Sequence, residues 1–386
     1  MYGRGLLASG DMRVLHTSDW HLGRSFHRES LLAAQGVFVD HLIETVRAER
    51  VDVVVVSGDV YDRALPPVDA VDLCNQALRR LVAERVRTVV ISGNHDSARR
   101  LGFGADLIDA AGVHLRTDPG RVGDPVVVGD VAFYGIPYLE PEMVRAAWRL
   151  PARTHTAAIE HAMSLVRADL ARRGLRSVVL AHAFVTGGRG SDSERDISVG
   201  GVAHVPLSVF YGVDYVALGH LHGRQRMSET VRYSGSPIAY SFSETGQVKG
   251  SWLVDVGARG RVGAEFVPAP VPRPVGRLKG RLENLLTSAE HARYEDHWLQ
   301  VTLTDPVRPK GAMERLRSRF EHTLALSFDP EGGDREVVVR PRLAGRPEAE
   351  VALDFVRAVR GEAADAEETR LIREAVEFCR LKEATA

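Results

Sequence analysis

Five times before residue 223, a run of apolar, mostly β-branched residues breaks off at a short polar tip. The tips are Ser18-Asp19-Trp20-His21, Gly58-Asp59-Val60-Tyr61-Asp62, Gly93-Asn94-His95-Asp96, His182, and Gly219-His220-Leu221-His222. The runs predict strands over 13–18, 51–57, 86–92, 177–181 and 215–218. The valines of 51–57 show no alternation, the pattern of a strand buried on both faces. Between the strands, apolar positions recur at helical spacing. Leu31, Leu32, Val37, Phe38, Leu42 and Val46 predict a helix over 29–50. Further helices are predicted over 68–84, after Leu65-Pro66-Pro67, and over 154–172, ending near Gly174. Strand, tip, helix, strand is an α/β alternation, and open sheets of this class place their sites at the carboxyl ends of strands. Short paired strands are predicted around Gly129-Asp130, and closing strands at 231–237 and 252–256.

The pattern changes at Val267-Pro268-Ala269-Pro270-Val271-Pro272-Arg273-Pro274, where four prolines predict a stiff linker. Beyond it, a strand at 298–304, a helix at 312–325 and a strand at 336–341 suggest a small α+β module, followed by helices at about 348–360 and 366–383. The expected division is an extension over 1–11 without ordered structure or chemistry, a main domain over 12–266, a second domain over 267–345, and a helical segment over 346–386. A chain of 386 residues fits two or three domains.

Composition narrows the classes. Hydrophobic residues at 44% and charged residues at 26% are those of a globular protein. Fifty Lys+Arg against 51 Asp+Glu leave a formal charge of -1. That balance argues against wholesale attraction to nucleic acid or membrane, and polyanion binding needs a local patch, a bound metal or a partner. No apolar run reaches the ~20 residues of a membrane span. The two cysteines, Cys74 and Cys379, form no spaced framework, so free thiols in a reducing cytoplasm are expected.

The tips carry metal-ligand chemistry. Two cations about 3.5–4 Å apart activate a water and neutralise phosphoryl oxygens during in-line displacement. Such a pair needs a bridging carboxylate, and Asp59 is suited to it because Gly58 lets the backbone approach closely. Asp19 and His21, two apart at a strand end, should point to the same face and reach one cation. Asn94 offers a neutral oxygen; His182, His220 and His222 offer nitrogens. Ligands of this kind without thiolate favour Mn²⁺, Fe or Zn²⁺ over Ca²⁺, and Mn²⁺ is the expected ion. His95, beside a ligand, is placed to stabilise charge or protonate the leaving oxygen, with Asp62 holding it in the right tautomer. Hydrolysis would proceed by direct attack of the activated water. Each tip alone is an ordinary turn; five in order are not. The polar stretch 187–196 reads as a solvated connection or a substrate-facing flap.

Taken together, Asp19-x-His21, Gly58-Asp59-x-x-Asp62, Gly93-Asn94-His95-Asp96, His182 and Gly219-His220-x-His222 resemble the blocks of the calcineurin-like metallophosphoesterase superfamily. His16 to Gly23, Asp59 to Arg63 with Pro66-Pro67, Ser191 to Asp196, and Tyr233-Ser234-Gly235-Ser236-Pro237 are most similar to the SbcD family of nuclease subunits. That resemblance implies a four-layer α/β fold: a two-layer mixed β-sandwich flanked by helices, with a small α+β capping domain that helps hold DNA. It implies Asp19, His21, Asp59 and His222 around one Mn²⁺, Asp59, Asn94, His182 and His220 around a second, and His95 as the catalytic histidine. It further implies a homodimer through helices near Pro66-Pro67, and a C-terminal segment that docks on an SbcC-like SMC-type ATPase within a heterotetramer. The implied activity is 3′-to-5′ cleavage of double-stranded DNA ends and endonucleolytic opening of hairpins and single strands, in DNA repair, recombination and replication. A phosphodiesterase for nucleotides or other small phosphodiesters is the alternative enzyme, since the metal site alone does not choose the substrate. A non-catalytic DNA-end-binding module is a third reading, opposed by the complete ligand set.

Overall fold

The computed structural model describes residues 10–197, 204–331 and 347–384. The predicted strand at 336–341 lies outside these, as does the extension apart from Gly10 and Asp11.

The first sheet is built around β1 (Met12–Thr17), β2 (Val53–Ser57), β3 (Arg87–Ile91) and β4 (Val113–Arg116), all mutually parallel in that order. The second holds β5 (Val126–Val128), β6 (Val131–Ile136), β7 (Arg176–His182) and β8 (Tyr215–Gly219). It is completed by the short β9 (Gln225–Arg226) and β10 (Val231–Tyr233), in the order β9-β10-β8-β7-β6-β5. The chain then returns to the first sheet. β11 (Gly250–Val256) runs antiparallel to β1, and β12 (Val262–Pro268) runs antiparallel to β11.

The two mixed sheets face each other. Val14, Val53, Val55, Val89 and Ile91 of one meet Val131, Phe133, Val178, Leu180, Tyr215 and Ala217 of the other in a core of fully buried side chains. On the outer faces, helices α1 (Leu32–Glu49) and α2 (Val68–Ala83) cover the first sheet. Helices α3 (Pro141–Trp148) and α4 (His155–Arg173) cover the second. Every residue of β2 is buried, as its unbroken valines require of a strand covered on both sides. Helix α4 starts where Thr154 Oγ1 accepts from Ala157 N and stops at Gly174, whose φ of 65° fits the left-handed cap. The four-layer α/β architecture that the family resemblance implies is what forms.

Four details differ. Helix α1 starts at Leu32 instead of 29, and its Val37 is 39% exposed, because Gln35, Phe38, Val39, Leu42 and Val46 hold the buried face. Helix α3, opened by Pro141, was not anticipated. The proline-rich stretch begins inside a sheet: β12 pairs as far as Pro268, and Ala269 N donates to Lys249 O at 2.8 Å. The helix expected over 312–325 ends at Arg317. Thr323–Phe328 instead joins a parallel three-stranded sheet with Val275–Gly280 and Trp298–Leu303, since strand pairing offers this segment more than helix propensity does.

The described residues up to Phe328 form one compact unit, and those from Asp329 onward a second. Within the first, Val275, Trp298, Leu324 and Ala325 of the three-stranded part pack against Phe26, Leu31, Ile238, Tyr240 and Phe242. In the second, helices Glu348–Arg360 and Ala366–Ala384 match the expected pair. A capping box, Asp365 with Glu368, opens the latter through reciprocal bonds of 2.8 and 2.9 Å. No helix among the described residues is long and apolar enough to cross a membrane, and Cys74 is a buried free thiol.

Candidate metal centre

The five tips converge at one end of the sandwich. Asp19 N donates to Gly58 O at 3.0 Å and His21 N to Asp59 O at 2.9 Å, so the first two tips are zipped together by main chain. Asp19, His21 and Asp59 do not continue their strands as was expected of the first pair: their φ values are 53°, 44° and 49°, and His220 stands at 102°. Left-handed backbone at non-glycine residues costs on the order of 1–3 kcal/mol each and persists where surroundings enforce it, above all at functional sites. It turns the Asp19 and His21 side chains inward in a way strand alternation would not. Three glycines make room. A Cβ at Gly58 would lie 2.3 Å from His182 Nδ1, one at Gly93 2.1 Å from Asp59 Oδ1, and one at Gly219 1.8 Å from Ser57 O.

Asp19, His21, Asp59, His182, His220 and His222 are all buried. Three overlapping sets of donor atoms lie within 4.8 Å of one another: Asp19, His21 and His222; His21, Asp59 and His95; Asp19, Asp59 and His182. Asn94 Oδ1 sits 2.9 Å from His182 Nε2 and 3.1 Å from His220 Nδ1. All seven expected ligand residues are therefore in one cluster. His27 is exposed and His41 lies on α1; neither belongs to it.

The donor set fits cations. His182 Nδ1 donates to Ser57 O at 2.9 Å, which leaves Nε2 as a bare lone pair. That lone pair faces two other acceptors, Asn94 Oδ1 and, at 3.5 Å, Asp59 Oδ2. Three acceptors pointing at one another repel unless positive charge lies among them. His21 Nδ1 and Asn94 Nδ2 are buried without a hydrogen-bond partner. Burial raises the Asp19 carboxyl well above the usual carboxylate range, and the nearby Asp59 charge raises it further. Burial, then the neighbouring imidazoles, hold His21 and His220 well below their ordinary value, so both stay neutral and ligand-ready.

His95 borders the cluster, its ring 4.6 Å from that of His21. Its main-chain N donates to Asp59 Oδ1 at 2.8 Å, and Nδ1 donates to Asp62 O at 2.7 Å. The tautomer is thus held from Asp62, but by its backbone carbonyl and not by its side chain. The Asp62 carboxylate instead meets Arg24 Nη1 at 3.3 Å and His21 Nδ1 at 3.6 Å. Arg24 Nη2 also donates to Ser193 O at 3.0 Å, and its guanidinium lies over the Tyr240 ring. Arg63, Arg99 and Arg100 are exposed. Arg99 lines a cleft of about 830 Å³ that opens beside Asn94, with Asp96, Tyr138, Glu140 and Met143.

Several residues have supporting roles that the sequence pattern does not assign. The Asp96 carboxylate accepts from Val60 N, Tyr61 N and Gly93 N at 2.9–3.1 Å, stapling the second tip to the third. The stretch 191–194 is no free flap: Glu194 Oε1 accepts from His222 N at 2.8 Å, and Ser193 Oγ lies 2.5 Å from His222 Nδ1. Glu244 and Lys249, both buried, complete this support from behind. Their signal was weak because they reach His222 from 22 and 27 positions away in the chain.

Residues 12–224 match the calcineurin-like phosphoesterase family. The chain belongs to that family. Residues 271–360 match a second family, SbcD_C, described as the type 5 capsule protein repressor C-terminal domain. Among solved structures, a dimetal phosphatase from Danio rerio is 17% identical with a TM-score of 0.38, over 67% of this chain and 99% of that one. TT1561 of Thermus thermophilus is 10% identical with a TM-score of 0.39, over 66% of this chain and 99% of that one. The family assignment rests on the match over 12–224. As a calcineurin-like phosphoesterase, the protein is a metal-dependent phosphoesterase, and its buried carboxylate and imidazole donors are suited to divalent cations.

Proposed function

We propose that the protein is the nuclease subunit of an SbcCD-type DNA-repair complex, hydrolysing DNA phosphodiesters with two Mn²⁺ ions. The observation that carries this reading is the pairing, in one chain, of the calcineurin-like site with a C-terminal match to SbcD_C. Asp19, His21, Asp59 and His222 would hold the first ion; Asp59, Asn94, His182 and His220 the second. Bound there, the ions supply an activated water and neutralise phosphoryl charge. The chain's own residues do the rest. Asp59 is shared between the two ligand sets, and Asp96 fixes the loops that carry it. His95, with Nδ1–H committed to Asp62 O, would have to carry a second proton on Nε2, as the imidazolium, to give one to the leaving oxygen.

The remaining assignments follow the same reading. Residues 12–266 form the nuclease domain, 267–345 the capping, DNA-recognition part, and 346–386 the segment that binds an SbcC-like ATPase. Exposed Phe355, Val359 and Leu371 on the terminal helices support a partner there. Exposed Leu65, Val68 and Val71 beside Pro66-Pro67 support a homodimer through α2. The expected activities are 3′-to-5′ exonuclease on duplex ends and endonuclease on hairpins and single strands.

The test is hydrolysis with Mn²⁺ of linear duplex DNA, hairpin DNA and cyclic nucleotides, with and without the ATPase partner and ATP. Cleavage of the DNA substrates is expected. Turnover of cyclic nucleotides with no cleavage of either DNA would overturn the proposal in favour of a small-molecule phosphodiesterase.

A further inference from the structure

His222 is gripped by a buried polar chain that the proposed chemistry does not use. Lys249 Nζ lies against four acceptors: Glu244 Oε2, His222 O at 2.8 Å, Gln247 Oε1 at 2.9 Å and Ser236 Oγ at 3.0 Å. Ringed in this way, it is an ammonium, and its partner Glu244, 1% exposed, is a carboxylate that only accepts. Glu244 Oε1 is 2.5 Å from Ser193 Oγ and 3.2 Å from Ser191 Oγ. Ser193 has one hydroxyl proton, and the carboxylate at 2.5 Å takes it. Directing that proton elsewhere would press two bare oxygens together. Ser193 Oγ must then accept from His222 Nδ1 at 2.5 Å; Ser191 Oγ, at 2.8 Å, shares its own single proton between Ser193 Oγ and Glu194 Oε2 at 2.7 Å. A nitrogen that donates carries hydrogen. His222 therefore carries hydrogen at Nδ1, and as a neutral imidazole it leaves Nε2, the atom 3.1 Å from His21 Nε2, as the bare lone pair.

We propose that Glu244, acting through Ser193, fixes His222 in the Nδ1–H tautomer and so aims a bare Nε2 lone pair into the metal centre. Ser193 and Glu244 are positioning residues, and Lys249 keeps Glu244 ionised where water cannot. The cation half of the inference rests on reading His222 as a ligand; the tautomer half does not. Outer partners of a ligating imidazole set its orientation and basicity, and their loss typically weakens metal binding by about 10–100-fold.

The experiment uses the full chain labelled with ¹⁵N-histidine. Long-range ¹H–¹⁵N spectra of the metal-free protein read the His222 tautomer, assigned by comparison with His222→Gln, and calorimetric titration with Mn²⁺ reads the affinity of each cation equivalent. The wild type should show Nδ1–H at His222. Ser193→Ala, which removes one hydroxyl and leaves the Glu244–Lys249 pair intact, should mix the tautomers and weaken one equivalent by about 10–100-fold while sparing the other. An Nε2–H tautomer in the wild type would overturn the proposal. So would Ser193→Ala retaining both the wild-type tautomer and both affinities. A wild type that shows Nδ1–H yet takes up no Mn²⁺ would sink the metal reading and not the relay.

Discussion

His21 and His222, both fully buried, face each other Nε2 to Nε2 at 3.1 Å. Two neutral imidazoles held this way share at most one N–H···N hydrogen bond, whereas a cation between them would engage both lone pairs. With Asp19 beside them, the arrangement couples cation uptake to protons. In the cation-free chain Asp19 keeps its proton to higher pH when folded than when unfolded, because burial and Asp59 raise its carboxyl. Its contribution to stability therefore falls as pH rises through that window. A cation must displace that proton, so cation stabilisation grows with pH; His21 and His220, held neutral, release none. The rise in Tm on adding Mn²⁺ should be larger at about pH 8 than at about pH 5.5. An equal or smaller rise at the higher pH would contradict it, as thermal melts at matched ionic strength can show.

Asp59 and His95 should separate binding from turnover. Asp59→Ala removes the carboxylate shared by both ligand sets and should abolish metal loading and cleavage together. His95→Ala should retain metal by elemental analysis yet lose about 10²–10⁴-fold in turnover, the usual range for a general acid. Normal nuclease activity in either variant would refute the assigned role.

Asp96 binds no expected cation, yet three backbone N–H groups depend on it. Asp96→Ala leaves them buried without an acceptor and should cost at least about 2 kcal/mol in denaturant unfolding. It should also weaken Mn²⁺ binding, because the loop carrying Asp59 is no longer tied to Gly93. A fully stable variant would show that water or a neighbour replaces the carboxylate.

The ligand tips were legible because a strand end is a local event: an apolar run stops and Asp59 or Asn94 follows within three residues. What sequence could not supply was backbone conformation and distance. Asp19 and His21 reach the site through left-handed φ values, not through strand alternation. His95 is held by a main-chain carbonyl, which no side-chain pattern reveals. Ser193 and Glu244 meet across 51 positions, so neither stretch announced the other. The same limit explains 323–325, expected to end a helix and instead opening a strand paired with one more than 20 residues earlier.

The central claim is that carboxylates and imidazoles from five separate strand ends hold two cations. Anomalous diffraction from crystals grown with Mn²⁺ tests it most directly. The account expects two peaks sharing Asp59, one also reached by Asp19, His21 and His222, the other by Asn94, His182 and His220. A single peak, or peaks away from Asp59, would contradict it.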